Sequence, residues 1–284
     1  MYQLFKTVFI GVLFSTGLLA APLDAIDVKP DVVYGHKDGM ALSYDVFKPR
    51  KNSNGVGLLF MISGGWVSQW TPPEVAVGFF KPFLNAGYTV ITVRHGSSPR
   101  YVIPEIAQDV RLALKHVHEN AEELGIDSTR IGIFGFSAGG HLSLLLGTTT
   151  NDHGDAKTPR VAAVAAVFPP TDLRPYVELT NPLRERFPAL KFDASKVDLY
   201  SPLLQVTQDD APTLLVHGDK DELVPLWHSE KICDAFTEAH VDHELLVIKG
   251  AAHGFDADGN KRMFEAMIRW FDTHLATMKS VPAL

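Results

Sequence analysis

After residue 25 the chain alternates short apolar, β-branched runs with longer amphipathic stretches. That rhythm restricts the fold to strands joined by helices in a mostly parallel sheet. Strands are predicted over 41–47, 56–62, 88–94, 130–136, 161–168, 213–217 and 244–248. Their apolar residues run on without polar alternation, so both faces of the sheet should be buried under helices. Helices are predicted over 73–85, 104–124, 138–146, 226–239 and 260–277. The first three end at Gly87, Gly125 and Gly147, because a left-handed C-cap costs glycine little.

Segment 169–208 breaks the rhythm: it is rich in Pro, charge and aromatics and has no long period. It reads either as a small cap-like insertion over the C-terminal edge of the sheet or as an ordinary long surface connection. A length of 284 residues suits an undivided α/β fold, so 26–284 is read as one domain. The net charge of -7 and the lack of any Lys/Arg run leave no basic footprint, and nucleic acid is not an expected partner.

The first twenty residues differ from the rest. Lys6 precedes an apolar stretch from Thr7 to Ala20, and small Ala20 and Ala21 come before Pro22. This is a secretory signal pattern over residues 1–20, with the cut between 20 and 25. The stretch falls short of the roughly 20 residues that span a bilayer, so a stable membrane anchor is not expected after cleavage. Cys233 is the only cysteine, which excludes an intrachain disulfide and a lipid-bearing cysteine behind the apolar stretch. A secreted or periplasmic bacterial protein fits this usage better than a eukaryotic extracellular one.

The chemistry centres on Gly135-Phe136-Ser137-Ala138-Gly139, which joins a predicted strand to a predicted helix. A serine on such a turn is held in strained backbone as a nucleophile, and the flanking glycines let neighbouring chain pass close. The Ala138 N–H would face a developing oxyanion at the positive end of the helix. A base and its orienting acid should follow in the order Ser, Asp, His. His253 has that order, a Gly-rich loop and a strand end, whereas His217 belongs to a strand end, His141 to the helix after the serine, and His240 and His243 to a polar turn. Asp219, Asp221 and Glu222 crowd the loop after strand 213–217. Asp219 can shape that turn through its own backbone, which leaves Asp221 to orient the imidazole. Ser63-Gly64-Gly65-Trp66, just past strand 56–62, is the expected source of a second backbone donor. Trp66 and Phe136 read either as aromatic substrate contacts or as core packing.

Taken together these residues resemble the esterase and lipase branch of the α/β-hydrolase superfamily, near the hormone-sensitive-lipase-like and feruloyl or acetyl-xylan esterase-like members. The resemblance covers roughly residues 40 to 275. It rests on Ser63 to Trp66, Leu124 to Ile131, Gly135 to His141, Ser201-Pro202, Pro212 to Asp219, Asp221 to Pro225 and Gly250 to Phe255. It implies an α/β-hydrolase fold, with Ser137 as nucleophile, Asp221 as acid, His253 as base, and the N–H groups of Gly64, Gly65 and Ala138 as the oxyanion hole. Two departures stand out. The usual His-Gly-Gly-Gly is Ile62 to Gly65 here, and the usual Tyr-Arg after the fourth strand is replaced by Arg94 to Pro99.

The expected function is a serine carboxylesterase that hydrolyses short-chain or carbohydrate-linked esters through an acyl-enzyme. Its expected partner is a small-molecule ester, and no metal or organic cofactor is implied. A peptidase of the prolyl-oligopeptidase type shares the triad, but the chain has no room for that family's gating domain. A non-catalytic binding protein on this fold is the other alternative, and His253 argues against it.

Overall fold

The computed structural model describes residues 25–148 and 159–275. The expected signal segment, its cut site and the end of the last predicted helix lie outside the described residues. The strands are β1 (Ile26–Lys37), β2 (Met40–Pro49), β3 (Gly57–Met61), β4 (Thr89–Val93), β5 (Ile131–Phe136), β6 (Ala163–Val167), β7 (Thr213–Gly218) and β8 (His243–Ile248). They form one sheet in the order β1, β2, β4, β3, β5, β6, β7, β8. β2 runs antiparallel to both β1 and β4, and the remaining neighbours are parallel. The helices are α1 (Pro73–Asn85), α2 (Ile103–Glu119), α3 (Ala121–Leu124), α4 (Ala138–Thr148), α5 (Arg174–Val177), α6 (Pro182–Arg186), α7 (Trp227–Glu238) and α8 (Ala257–Leu275).

The continuous apolar runs of the central strands feed two cores at once. Leu58, Val90, Phe134 and Val216 pack with Phe80 and Phe83 of α1 and with Met263, Met267 and Phe271 of α8. Leu59, Met61, Ile91 and Ile133 pack on the other side with Ile106 and Val110 of α2, Leu142 of α4, and Ile232 and Phe236 of α7. Successive residues of a strand point to opposite faces, so adjacent Leu58 and Leu59 serve opposite cores. Every residue of α4 is buried, and its polar side chains His141, Ser143 and Thr148 are all hydrogen-bonded.

Three local expectations are corrected. β1 is not predicted by apolar patterning because it is a half-exposed edge strand. Its pairing with β2 shifts register twice, between Lys29 and Val32 and between Val33 and Gly35, and Asp31 sits at φ 53°. The predicted helix 104–124 ends at Glu119 and restarts at Ala121; the Asn120 side chain donates to the His116 carbonyl at 2.7 Å, which competes with the helical ladder. Gly147 does not stop its helix, which runs on to Thr148. A Cβ there would meet the Val164 side chain at 2.6 Å, so this glycine serves close helix-to-sheet packing.

Candidate active site

The site lies at the C-terminal ends of β3, β5, β6, β7 and β8, where ligands bind in open α/β sheets. β5 is central, flanked by β3 and β6, and Ser137 sits on the single residue between it and α4. Its φ is 54°, in the left-handed region that a non-glycine residue rarely adopts. The turn is held by Ser137 N–H donating to Val167 (2.9 Å) and by His141 N–H donating back to the Ser137 carbonyl (2.9 Å). Glycine is needed on both sides of the turn. A Cβ on Gly135 would lie 2.4 Å from the Gly139 backbone, and one on Gly139 would lie 2.5 Å from the Met61 carbonyl.

His253 and Asp221 complete a hydrogen-bonded chain. Ser137 Oγ lies 2.9 Å from His253 Nε2, and His253 Nδ1 lies 2.6 Å from Asp221 Oδ2. An ionised carboxylate only accepts, so Nδ1 carries the ring proton and Nε2 presents a lone pair to the serine hydroxyl. Asp221 Oδ1 accepts from the Leu223 and Val224 amides at 3.0 and 2.9 Å. Buried His217 donates from Nε2 to the Val224 carbonyl at 2.7 Å and lies 3.4 Å from Asp221 Oδ2. Burial pushes the Asp221 carboxyl up, but hydrogen bonds from His217, His253 and the Val224 amide outweigh it and hold the group well below the usual carboxylate range.

Asp219 does something other than shape its own turn. Its Oδ1 accepts the Gly250 N–H at 2.5 Å, tying the acid loop to the loop that carries His253. Phe168, at φ 38°, lays its ring 4.5 Å from the His253 ring. Sequence reasoning gave Phe168 no role beyond the end of a strand.

The expected backbone donors divide. Ala138 N–H has no acceptor among the described residues, as befits the first residue of a helix. Gly65 lines the same cavity as Ser137. Gly64, by contrast, donates its N–H to the Val67 carbonyl at 2.9 Å in a small bridge, and Val67 returns the bond at 3.0 Å. Of the three expected donors, Gly64 is therefore already engaged, while Ala138 keeps a free N–H and Gly65 stands at the cavity. His141 fixes this loop. Trp66 Nε1 donates to its Nδ1 (3.2 Å), and its Nε2 donates to the Tyr200 carbonyl (2.8 Å). Burial pushes its pKa down to about 4, so the ring stays neutral and can serve both partners.

A cavity of about 30 Å³ opens in front of Ser137. Trp66 lines it and is also buried in the core on the α2 side, so both of its readings remain open. Phe136 does not line it: it packs against Phe60, Phe79 and Phe168 on the α1 side. Segment 169–208 forms α5, α6 and three 3₁₀ turns, and it covers the cavity with Pro170, Tyr176, Leu183, Phe187 and Leu190. Leu223 and Val224 of the acid loop close the remaining side. A wider groove of about 450 Å³ runs along α8, lined by Glu265, Ile268, Arg269, Asp272 and Thr273, but it has no nucleophile paired with a base. Among the described residues no His, Cys, Asp and Glu cluster could hold a metal ion, and no helix is long and apolar enough to cross a membrane.

Comparison with known proteins agrees with the fold. The family model described as BD-FAE matches residues 44–236. An ethyl acetate hydrolase of Pseudomonas putida is 28% identical over 264 residues, covering 85% of this chain and 80% of that protein. The esterase LipC of Mycobacterium tuberculosis is 26% identical over 250 residues; the match takes in 79% of this chain but only 59% of LipC. Among solved structures, a truncated carbohydrate esterase from gut microbiota superposes with a TM-score of 0.75 at 26% identity, covering 91% of this chain and all of that one. An esterase of Thermogutta terrifontis shares the fold, with a TM-score of 0.74 at 21% identity over 90% of this chain and 98% of the other.

Proposed function

The chain is an α/β-hydrolase and belongs to the BD-FAE family, and from that premise we propose that it is a serine carboxylesterase acting on short-chain or carbohydrate-linked esters. The observation that carries this reading is the unbroken hydrogen-bond chain from Asp221 through His253 to Ser137. Relatives named as ester hydrolases and a fold neighbour named as a carbohydrate esterase support it.

In this reading His253 takes the hydroxyl proton as Ser137 Oγ attacks the ester carbonyl. The Gly65 and Ala138 amides hold the negative oxygen of the tetrahedral intermediate. Collapse expels the alcohol, which receives the proton from His253. Water, deprotonated by the same imidazole, then attacks the acyl-enzyme and frees the acid. Labelling with a fluorophosphonate probe tests the nucleophile directly: Ser137 is expected to carry the adduct. A folded protein that takes up no label there would be a binding protein.

The cavity sets the acyl size. It is narrow and closed over by the covering segment and the acid loop, so a short acyl group enters with little movement whereas a long one forces the covering segment aside. That segment also carries Asp172, Arg174, Glu178, Arg184, Glu185, Arg186 and Asp193 and offers no long apolar face to a lipid surface. The expected order of kcat/KM is nitrophenyl acetate, then butyrate, then palmitate. A higher value for palmitate, with a jump at its aggregation threshold, would make the enzyme a lipase.

The N-terminal pattern supports export, giving a mature protein that is secreted or periplasmic. Expressed from its full sequence in a bacterium, the protein recovered outside the cytoplasm should begin between residues 20 and 25 by intact-mass analysis. An uncut chain found only in the cytoplasm overturns the export reading.

A further inference from the structure

The cavity wall is almost wholly apolar, and its polar side-chain groups are few enough to account for one by one. The Ser137 hydroxyl is engaged with His253. The Trp66 ring nitrogen is engaged with His141. That leaves Tyr176 of α5, which lines the cavity.

The direction of the Tyr176 hydrogen bond is fixed from behind. His228 is fully buried, and its Nδ1 accepts from the Thr171 backbone N–H at 3.1 Å and from that of Asp172 at 3.4 Å. Nδ1 therefore holds no proton, and the proton of the neutral ring sits on Nε2. Nε2 lies 2.6 Å from Tyr176 Oη, so the imidazole donates and the phenol oxygen accepts. The Trp227 ring, stacked 3.7 Å from His228, and the Tyr176 ring, stacked at 5.5 Å, hold the imidazole between them. Burial, followed by the neighbouring His217, pushes the His228 pKa down to about 3, and burial pushes that of Tyr176 up to about 12. Neither group changes protonation at ordinary pH. The outcome is a one-way relay, from backbone amide to imidazole to phenol, that ends in an O–H with no acceptor among the described residues.

We propose that Tyr176 is a specificity-determining residue, whose hydroxyl donates a hydrogen bond to an oxygen carried by the substrate beside its scissile ester. The inference rests on the esterase reading above and narrows its substrate class. The preferred esters carry an ether, hydroxyl or carbonyl oxygen within a few bonds of the ester carbonyl, as acylated sugars do, and purely hydrocarbon esters of the same size are poorer. A donor in an apolar wall discriminates in this way because a substrate without the acceptor leaves it desolvated and unpaired.

The test uses two isosteric pairs. On the acyl side, nitrophenyl methoxyacetate is compared with nitrophenyl butyrate; on the alcohol side, 2-methoxyethyl acetate is compared with butyl acetate. Each pair differs by an oxygen in place of a methylene. The quantity read is the kcat/KM ratio within a pair, in the unaltered protein and in Tyr176→Phe. Comparing the two proteins cancels the intrinsic reactivity of the esters. The substitution removes one oxygen from a half-buried side chain, and a thermal melt verifies that the fold is kept. The ratio is expected to fall about tenfold, the size of one neutral hydrogen bond, in one of the pairs, and the pair that responds tells whether the oxygen sits on the acyl or the alcohol side. Equal ratios in both proteins for both pairs overturn the proposal while leaving the esterase reading intact. If the unaltered protein cleaves none of the four esters and Ser137 takes no label, the esterase reading fails and the proposal goes with it.

Discussion

Replacing Ser137 by Ala is expected to lower kcat by about a thousandfold or more, with His253→Ala equally damaging, because members of a cooperating triad are not independent. The double variant should be little worse than either single one. The geometry gives the reason: Ser137 Oγ pairs with His253 Nε2 at 2.9 Å, so a serine without that base is an ordinary alcohol and a base without that serine has nothing to activate. Residual turnover should remain above the rate in water, because the Gly65 and Ala138 amides are untouched by either change. Burst kinetics with nitrophenyl acetate read the same result from the other side. A Ser137→Ala protein that retains the burst would move the nucleophile elsewhere.

The elements legible in the sequence are those whose physics is local. The central strands could be read because burial on both faces forces uninterrupted apolar runs, as Leu58 and Leu59 illustrate by serving opposite cores. β1 could not be read in that way, since an edge strand with one exposed face and two register shifts carries no such run. It did leave a signal of another kind. Asp38-Gly39, with φ values of 49° and 79°, is the two-residue turn that joins β1 to β2, and Asp-Gly between strands is a strong hairpin mark. Gly147 shows the opposite failure: a glycine at a helix end resembles a cap, and only the position of Val164 across the interface reveals why a side chain is excluded.

The candidate site divides along the same line. Ser137, Asp221 and His253 could be proposed from chain order and strand ends, because the fold delivers those loops to one edge. Gly64 could not be separated from Gly65 by sequence, as the difference lies in a bridge to Val67. The Thr171, His228 and Tyr176 relay was invisible, because His228 lies 57 residues from Thr171 and 52 from Tyr176 and meets them only when segment 169–208 folds over α7.

Asp221→Asn is expected to lower kcat by about 10³- to 10⁴-fold, the scale seen when a triad acid becomes an amide. The structure explains why an isosteric change should be so costly. Oδ1 of Asp221 accepts two backbone N–H bonds, from Leu223 and Val224, so an asparagine must keep its carbonyl oxygen there and turn its NH₂ towards His253. That amide donates where the carboxylate accepted. Nδ1 of His253 must then give up its proton, Nε2 must carry it, and the Ser137 hydroxyl faces an N–H instead of a lone pair. Asp219→Asn should behave differently. Its single accepted bond, from the Gly250 N–H at 2.5 Å, can be kept by the amide oxygen, so the loss is expected to stay within about tenfold, the scale of a weakened neutral hydrogen bond. The two variants share a loop, a charge change and a size, but Asp221 is buried and faces the His253 ring whereas Asp219 is half-exposed and faces a backbone amide. Measuring kcat for both on one soluble ester, with thermal melts to confirm the fold, tests the tautomer argument, and a larger loss for Asp219→Asn than for Asp221→Asn would reassign the acid.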